Sequence, residues 1–442
     1  MGVLDNRDPQ PSLAERPDRI LQGKGLSRTA GPNDLKDARA GHRSSNGREL
    51  SRVLISLSEA RGIIEKARVT RLAIEAVPVR GALGRLAGST IRARIDVPAC
   101  PLSAMDGYAL RITRRPTAGP FSLRGAVFPA SRSASRALRS GEATYITTGA
   151  PLPLGANAVV RVEAARREGA QLFLIRPARR HQDVMPPGEA VSHGDILLTR
   201  GEPVRAVHVG ALLAQRVSRM PVARLRATVL PIGDELVASE RRAARGTWDY
   251  MGPTVAALLP FAEVKLGSPL PDDRRSVENA LLEAAPRSDL LITIGGSSVG
   301  ERDVTKPAVR EVGRLWFEGV RVNVLKRGAV GSVGRVPLVV LPGQLVSAVT
   351  VLHEHGLHVV SRMCGRELRR YERVPLSRDL RVKHHLDSTY LFSLSNGKAI
   401  PLPWGVARMT ALLQADAFAV LPHGKTLRKG DLLTVQRLWQ VA

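Results

Sequence analysis

A stretch in the second half of the chain, LLITIGGSSVGERDVTK from Leu290 to Lys306, has the residue types of a phosphate-binding loop. An apolar run typical of a buried strand ends in paired glycines, and small hydroxyl residues, a carboxylate and a cation follow. Glycines let a backbone approach an anion, and the start of a following helix offers N–H groups. The candidate ligand-binding residues here are Gly295, Gly296, Ser297, Ser298, Gly300, Asp303 and Lys306. The spacing matches neither the Walker A pattern nor the dinucleotide fingerprint, and a plain turn remains the alternative.

Two aspartates have residue types suited to metal or phosphate chemistry. Asp234 directly follows a predicted strand, where its carboxylate could bind a metal ion or could instead cap a helix. Asp303 and Lys306 lie one helical turn apart if the helix has begun, so they could contact a ligand together or form a surface ion pair. Because both residues come just after predicted strands, we predict that Asp234 and Asp303 point into one cleft and are close enough to share a metal ion or a phosphate-bound Mg²⁺.

The elements that must position these residues alternate between strand and helix over residues 224–363. The predicted strands are 224–232, 263–267, 289–294 and 336–343. Helices are predicted around Thr254–Leu259, from Asp272-Asp273 to Ala285, from Lys306 onward, and over Val346–Met363. Such alternation predicts a mostly parallel sheet with helices on both faces. Ligands of such sheets bind at the carboxyl ends of the strands, so three loops should meet there: 233–235, 295–303 and 342–344.

The rest of the chain does not show this alternation of strands and helices, and we predict a multi-domain α/β plus β protein. Residues 1–50 read as a disordered polar tail, and 51–98 with 185–222 as an elongated N-terminal or linker domain. Residues 99–184 read as a β-rich insert, 223–366 as a three-layer α/β domain, and 367–442 as a small β domain like a barrel or sandwich. Further helices are predicted at Ser58–Lys66, with Ser58 as N-cap, and at Val204–Gln215.

The amino-acid composition bears on the compartment in which the protein works. The 442 residues include only two cysteines, which argues against a disulfide scaffold or a cysteine-based zinc site. The chain has no apolar run of about 18 residues, so no membrane span is predicted, and the start of the chain lacks the apolar core of an export signal. We therefore expect a cytoplasmic protein without a membrane partner.

The formal net charge of +26 suggests either nucleic-acid binding or a solvated, arginine-rich surface that steers anions. We favour the second explanation because aromatic residues are only 4% of the chain, which leaves few stacking platforms for single strands. Three histidines on a predicted helix, His353, His355 and His358, have a poor spacing for a metal site. We expect them to have surface or packing roles.

Six motifs in order carry a resemblance to a known family. They are PLSAMDGYAL (101–110), YITTGAPLPLGANAVVRVE (145–163), GEAVSHGDILLTRG (188–201), IGDELV, GGSSVGERDVTK and VVLPGQLVSA. From about residue 52 to 440 the chain resembles the molybdopterin molybdenumtransferases, which include the E domain of gephyrin. The resemblance implies a four-part architecture, a homodimer, and insertion of molybdate into the dithiolene of adenylylated molybdopterin with release of AMP, assisted by Mg²⁺. It also suggests molybdoenzymes or cofactor-synthesis proteins as partners.

The resemblance also implies roles for individual residues. Asp106 and Glu189 would be catalytic together with Asp234 and Asp303, and Asp106 would act across the dimer; a turn aspartate and a solvated loop glutamate are the alternatives. The remaining substrate-binding residues would be Thr148, Gly149, Asp249, Lys326, Pro342 and Gly343.

The chain departs from the family pattern at ligand-facing loops. The family's Lys-Pro-Gly-Lys-Pro reads here as KRGAV over residues 326–330, and its Gly-Asn-Pro reads as GQL over 343–345. Arg327 could restore charge but not the shape that proline imposes. A second hypothesis is therefore a weakened relative that binds molybdopterin or its cofactor as a carrier or assembly partner.

Overall fold

The structure is a computed structural model that describes residues 54–113, 118–129, 137–237, 246–297, 303–403, 405 and 408–438. The predicted polar tail and two residues of the glycine-rich loop, Ser298 and Gly300, lie outside the described residues.

The first described elements form a helix and a small sheet. Helix α1 (Leu57–Lys66) is followed by strands β1 (Ala73–Pro78), β2 (Leu86–Ala87) and β3 (Ile91–Arg92). The N-cap of α1 is Ser56 and not Ser58: the Ser56 hydroxyl accepts from the Glu59 N–H at 3.2 Å, and the Glu59 carboxylate accepts from the Ser56 N–H at 2.7 Å. The Ser-x-x-Glu spacing of this capping box selects Ser56.

A β-rich insert follows. Its strands are β4 (Leu102–Ser103), β5 (Gly107–Leu110), β6 (Phe121–Val127), β7 (Glu142–Ile146), β8 (Ala158–Arg161), β9 (Ala165–Glu168), β10 (Gln171–Leu174) and β11 (Val184–Met185). Six of them form one sheet in the order β8-β5-β7-β6-β10-β9, and β4 pairs with β11.

The chain then returns to the first sheet through β12 (Ile196–Leu198), α2 (Ala206–Ala214) and β13 (Arg219–Arg224). Strand β13 lies between β1 and β2, and β12 pairs with β3, so chain segments on both sides of the insert build one region.

The α/β region contains strands β14 to β21 and helices α3 to α7. They are β14 (Arg226–Ile232), β15 (Leu236–Val237), β16 (Thr247–Trp248), α3 (Met251–Ala257), β17 (Glu263–Leu266), α4 (Arg274–Ala284), β18 (Leu290–Gly295), α5 (Thr305–Val312), β19 (Arg314–Phe317), β20 (Ala329–Val333), β21 (Val336–Leu341), α6 (Leu345–Val351) and α7 (Leu357–Cys364). The six-stranded sheet has the order β17-β14-β18-β21-β20-β19, with the first four strands parallel. The predicted, mostly parallel sheet is confirmed.

Apolar side chains cover both faces of this sheet. On one face Val229 and Ile292 pack with Val255 of α3, and on the other Leu230 packs with residues of α4 and α5. Strands buried on two faces read as nearly continuous apolar runs, which is why β14, β18 and β21 were recognisable from sequence.

Two parts of this region differ from prediction. The helix expected from Lys306 onward ends at Val312, and the antiparallel strands β19 and β20 follow it. The helix expected over Val346–Met363 contains a π-helical turn, Leu352–Gly356, between α6 and α7. In a π turn the backbone N–H donates to the carbonyl five residues earlier, and not four as in an α-helix. This change of partner does not alter the pattern of apolar residues, so the π turn could not be predicted from the sequence.

The C-terminal region is a small β domain, as predicted. Its elements are β22 (Tyr371–Pro375), β23 (Leu380–Arg381), β24 (Ser388–Ser395), β25 (Lys398–Pro401), α8 (Met409–Leu413), β26 (Ala417–Leu421), β27 (Thr426–Leu427) and β28 (Leu432–Arg437). Five strands form a sheet in the order β22-β28-β26-β24-β25, and β23 pairs with β27. Within the described ranges, no helix has both the length and the apolar character needed to cross a membrane.

Candidate active site at the sheet edge

A pocket of about 290 Å³ lies at the carboxyl ends of the parallel strands. Residues that directly follow β14, β18 and β21 contribute to it, so the prediction that the glycine loops share one sheet edge is confirmed. Its lining consists of Pro231, Ile232, Gly233, Glu235, Leu236, Asp249, Met251, Asp272, Ile294, Gly295, Gly296, Ser297, Arg327, Pro342, Gly343 and Gln344.

The glycines of the pocket are not equivalent. Gly295 has a φ of +90°, and a side chain there would collide with the carbonyl oxygen of Ile232. A side chain at Gly343 would meet nothing nearer than the Cα atom of Gly295 at 3.8 Å. Gly295 is therefore required by the fold, whereas Gly343 leaves open space beside the pocket.

The first backbone donors of α5 are already used within the loop. The N–H groups of Val304 and Thr305 donate to the carbonyl oxygen of Gly296 at 3.0 and 3.2 Å, and the N–H of Lys306 donates to Asp303 Oδ1 at 3.1 Å. An anion in the pocket would therefore have to bind other groups.

Asp303 and Lys306 form an ion pair of 3.3 Å between Oδ2 and Nζ, with side chains only 15% and 12% exposed. Neither residue lines the pocket. The ion pair that was the alternative to a ligand contact is present, but it is mostly buried rather than at the surface, and it ties the start of α5 to the preceding loop.

Asp234 lies next to the pocket and contacts Asp272. The Asp272 N–H donates to Asp234 Oδ1 at 3.0 Å, and the Asp234 N–H donates to Asp272 Oδ2 at 3.3 Å. The cap of α4 is Asp273, whose Oδ2 accepts from the Ser276 N–H at 2.8 Å. Asp272 lines the pocket, but Asp234 does not. The structure thus does not bring Asp234 and Asp303 together as pocket residues.

Three other carboxylates line the pocket: Glu235, Asp249 and Asp272. Asp249 is buried, and its Oδ1 accepts from the Gly252 N–H at 2.9 Å at the start of α3. Asp249 was predicted from the sequence as a binding residue, whereas Glu235 and Asp272 were not. Asp272 could have been predicted from the neighbouring pair Asp272 and Asp273, because only one of the two can cap α4 and the other must have a different role.

Among the described residues, Arg327 and not Lys326 is the cation that lines the pocket. Its Nε atom is buried and has no hydrogen-bond partner among the described residues. The altered positions that follow, Ala329 and Val330, are fully buried in β20, where they pair with Val340 and Val339. The departures from the family loop thus comprise a cation at the pocket and apolar residues of the core.

The remaining predicted site residues lie outside this pocket. Asp106 Oδ1 accepts from the Thr148 N–H at 2.6 Å and from the Thr148 hydroxyl at 2.9 Å. The Thr148 backbone and then its hydroxyl lower the pKa of Asp106, which keeps this exposed carboxylate charged. Gly149, with a φ of +79°, donates its N–H to Ser103 at 2.8 Å. Glu189 is exposed on a separate turn.

The pocket has donors suited to Mg²⁺ but no complete protein cage. In the part of the chain that the structure describes, no group of three or more His, Cys, Asp or Glu residues is arranged to hold a metal ion. Mg²⁺ commonly uses one or two carboxylates and completes its shell with water and substrate phosphate. Glu235 and Asp272 fit that limited role.

Comparison with known proteins relates both the N-terminal part of the chain and its α/β region to described families. Residues 55–215 match the MoeA N-terminal region (domain I and II), and residues 228–362 match a family described as a probable molybdopterin binding domain. A molybdopterin molybdenumtransferase of Haemophilus influenzae is 30% identical over 321 residues, which cover 71% of this chain and 79% of that protein. The chain belongs to the molybdopterin molybdenumtransferase family.

Other members of the family are similarly related. Molybdopterin molybdenumtransferase 2 of Mycobacterium tuberculosis is 32% identical over 287 residues, which cover 62% of this chain and 71% of that protein. The crystal structure of the molybdopterin biosynthesis MoeA protein from Pyrococcus horikoshii OT3 has the same fold, with a TM-score of 0.71 at 23% identity over 87% of this chain and all of that chain.

Proposed function

We propose that this molybdopterin molybdenumtransferase family member inserts molybdate into adenylylated molybdopterin and releases AMP. In that reaction two Mo–S bonds form to the dithiolene, while the two thiols lose their protons and molybdate loses one oxygen, together equivalent to one water. The bond between the adenylyl phosphorus and the molybdopterin phosphate breaks, and an oxygen from molybdate or water completes AMP. The observation that carries the proposal is a glycine-lined pocket at the carboxyl edge of the sheet with Arg327 in its lining.

Arg327 is suited to bind the phosphate groups. A guanidinium presents a planar fork of N–H donors that matches phosphate oxygens, and contacts between charged partners are stronger than neutral ones. Since the buried Nε of Arg327 has no partner among the described residues, a phosphate would supply one. Gly343, with open space at its Cα, lets the ligand approach the backbone.

We propose Mg²⁺ as the assisting ion, with Glu235 and Asp272 as the residues that would hold it. Mg²⁺, when bound, neutralises charge on the phosphates around the bond that breaks. The protein's own part is to orient the phosphates between Arg327 and the glycine backbone. Asp249 already accepts a bond from Gly252, so it is better placed to shape the loop than to bind the ion.

We further propose that the site is completed by a second copy of the chain. Asp106, Thr148 and Glu189 line no part of the pocket in a single chain. A two-fold dimer that brings Asp106 to the glycine loops would give these residues the catalytic role that the family pattern implies. We also place the reaction in the reducing cytoplasm, because both described cysteines are free and the dithiolene itself must stay reduced.

Complementation tests the proposed function in cells. A bacterial strain that lacks its own molybdenumtransferase should regain molybdoenzyme activity when it expresses this chain. A protein that accumulates normally and gives no activity, while the Haemophilus influenzae relative restores it, would contradict the transferase proposal. The carrier hypothesis would then remain to be tested by ligand binding.

A further inference from the structure

A second, larger depression of about 1070 Å³ lies at the end of the six-stranded sheet that is opposite to the candidate active site. It is lined by the end of α1 with the segment after it, by β19, and by the turn between β20 and β21. Strand β21 begins at this turn and ends beside Pro342 and Gly343 of the candidate active site. The two depressions therefore lie at opposite ends of β21. We call this second depression the basic groove.

The charge of the basic groove is of one sign. Lys66, Arg68, Arg314 and Arg335 line it, and no carboxylate of the described residues does. Within the described ranges, none of these four cations forms an ion pair. Exposed arginines elsewhere in the chain do: Arg274 pairs with Glu278, and Arg428 pairs with Asp379.

Ordinary structural roles account for only part of this charge. Lys66 lies in the last turn of α1, where a cation interacts favourably with the helix dipole. Arg68 and Arg314 directly follow the C-cap residues of α1 and α5, where a helix dipole also favours a cation, whereas Arg335 lies in the turn between β20 and β21. Four like charges around one depression repel each other, and an anionic ligand would relieve that repulsion.

The groove also offers one aromatic surface. Trp316 of β19 is half-buried: it packs against the main core and also lines the groove. An indole face beside cations suits a ligand with both a planar ring and phosphates. A bare phosphate would use the cations only, and a nucleic-acid strand would require a series of aromatic platforms.

From these observations we infer that the basic groove binds a nucleoside triphosphate, with the base against Trp316 and the phosphates among the arginines. This site is separate from the pocket that holds the proposed substrate, and its existence does not depend on the transferase reaction.

Calorimetric titration of the full chain with ATP at physiological ionic strength tests the inference. Because the candidate active site could also attract phosphates, every titration is done in an Arg327→Ala background. The test variant is Arg314→Ala/Arg335→Ala, and the matched control is Arg274→Ala/Arg428→Ala, which removes the same charge from other surfaces. Trp316→Phe keeps a ring for packing, and Trp316→Leu removes it; thermal melts establish that each variant is folded.

We expect saturable ATP binding that weakens at least tenfold in Arg314→Ala/Arg335→Ala and remains within twofold in the control, since each charge-assisted phosphate contact typically contributes about tenfold or more. Trp316→Leu should weaken binding roughly tenfold, and Trp316→Phe should weaken it less.

Three results would overturn the inference. The first is equal ATP affinity in the groove variant and the control. The second is inorganic triphosphate binding as tightly as ATP, with no effect of Trp316→Leu, which would mean an unspecific anion site. The third is a single-stranded oligonucleotide that binds far more tightly than ATP and displaces it, which would mean a nucleic-acid surface.

Discussion

Arg327 carries the first prediction at the scale of single residues. Its replacement by alanine removes the cation from the pocket lining, and loss of a charge-assisted phosphate contact worth about 1.5–3 kcal/mol should weaken binding of adenylylated molybdopterin roughly ten- to a hundredfold. Arg327→Lys should restore part of the affinity, because lysine keeps the charge but not the planar fork.

Lys326→Ala is the matched control for Arg327→Ala, because Lys326 is its chain neighbour and does not line the pocket. It should change the affinity little. A larger loss in Lys326→Ala than in Arg327→Ala, measured by equilibrium binding, would return the phosphate-binding role to the residue that the sequence pattern favoured.

Gly343 and Gly295 of the pocket give a second prediction. Gly343→Ala should leave the thermal stability nearly unchanged, since its methyl group would make only an ordinary contact with the Cα atom of Gly295 at 3.8 Å, yet it should weaken ligand binding by filling the approach to the pocket. Gly295→Ala should destabilise the protein strongly, because of its positive φ and the nearby Ile232 carbonyl. Unchanged ligand affinity in a folded Gly343→Ala protein would show that the ligand does not approach there.

At the scale of elements, the helical segment from α6 to α7 contains buried histidines that predict sensitivity to acid. Burial lowers the pKa of both His353 and His355 to about 4. Neutral histidine is thus favoured in the folded state, while the unfolded chain takes up protons below about pH 6.5. Stability should be full above that pH and should decline as the pH falls from about 6.5 towards 4.

His355 isolates this effect, because neither ring nitrogen has a hydrogen-bond partner among the described residues. The charged or titratable groups around it are Glu354, His358, Arg61 and Arg369. His355→Leu should reduce the loss of unfolding free energy between pH 7 and pH 4.5 by about 2–3 kcal/mol, as measured by urea denaturation. His193→Asn, a change of an exposed histidine, should leave that loss as it is; an unaltered slope in His355→Leu would contradict the account.

The parallel strands of the α/β region were predictable from the sequence, whereas its two antiparallel strands were not. Strands β14, β18 and β21 were found because burial on both faces requires continuous apolar runs. Strands β19 and β20 were missed because each is short and their pairing is not local: β20 pairs with β21, and β19 pairs with β20. The glycine loops were placed at one edge by topology alone.

The side chains at that edge were less predictable. Asp234 and Asp272 are joined by reciprocal hydrogen bonds, and only the structure shows which of the two lines the pocket. Arg327, in the turn before β20, replaces lysine as the pocket cation for a similar reason: the direction of its side chain depends on how that turn leads into the pairing of β20 with β21.

At the scale of the whole molecule, the account predicts a homodimer in which Asp106 of one copy faces the glycine loops of the other. Asp106→Ala mixed with Arg327→Ala should recover part of the transferase activity that each variant alone lacks, because a mixed dimer contains one site with both residues intact. Absence of recovery, or a monomer in light scattering at micromolar concentration, would contradict the shared site.

Release of AMP tests the central claim most directly. Purified protein with adenylylated molybdopterin and Mg²⁺ should release AMP on addition of molybdate and form an equal amount of molybdenum cofactor, and Arg327→Ala should slow this release roughly ten- to a hundredfold. Tight binding of the adenylylated substrate without AMP release would contradict the transferase proposal and favour a carrier, and absence of binding would contradict both.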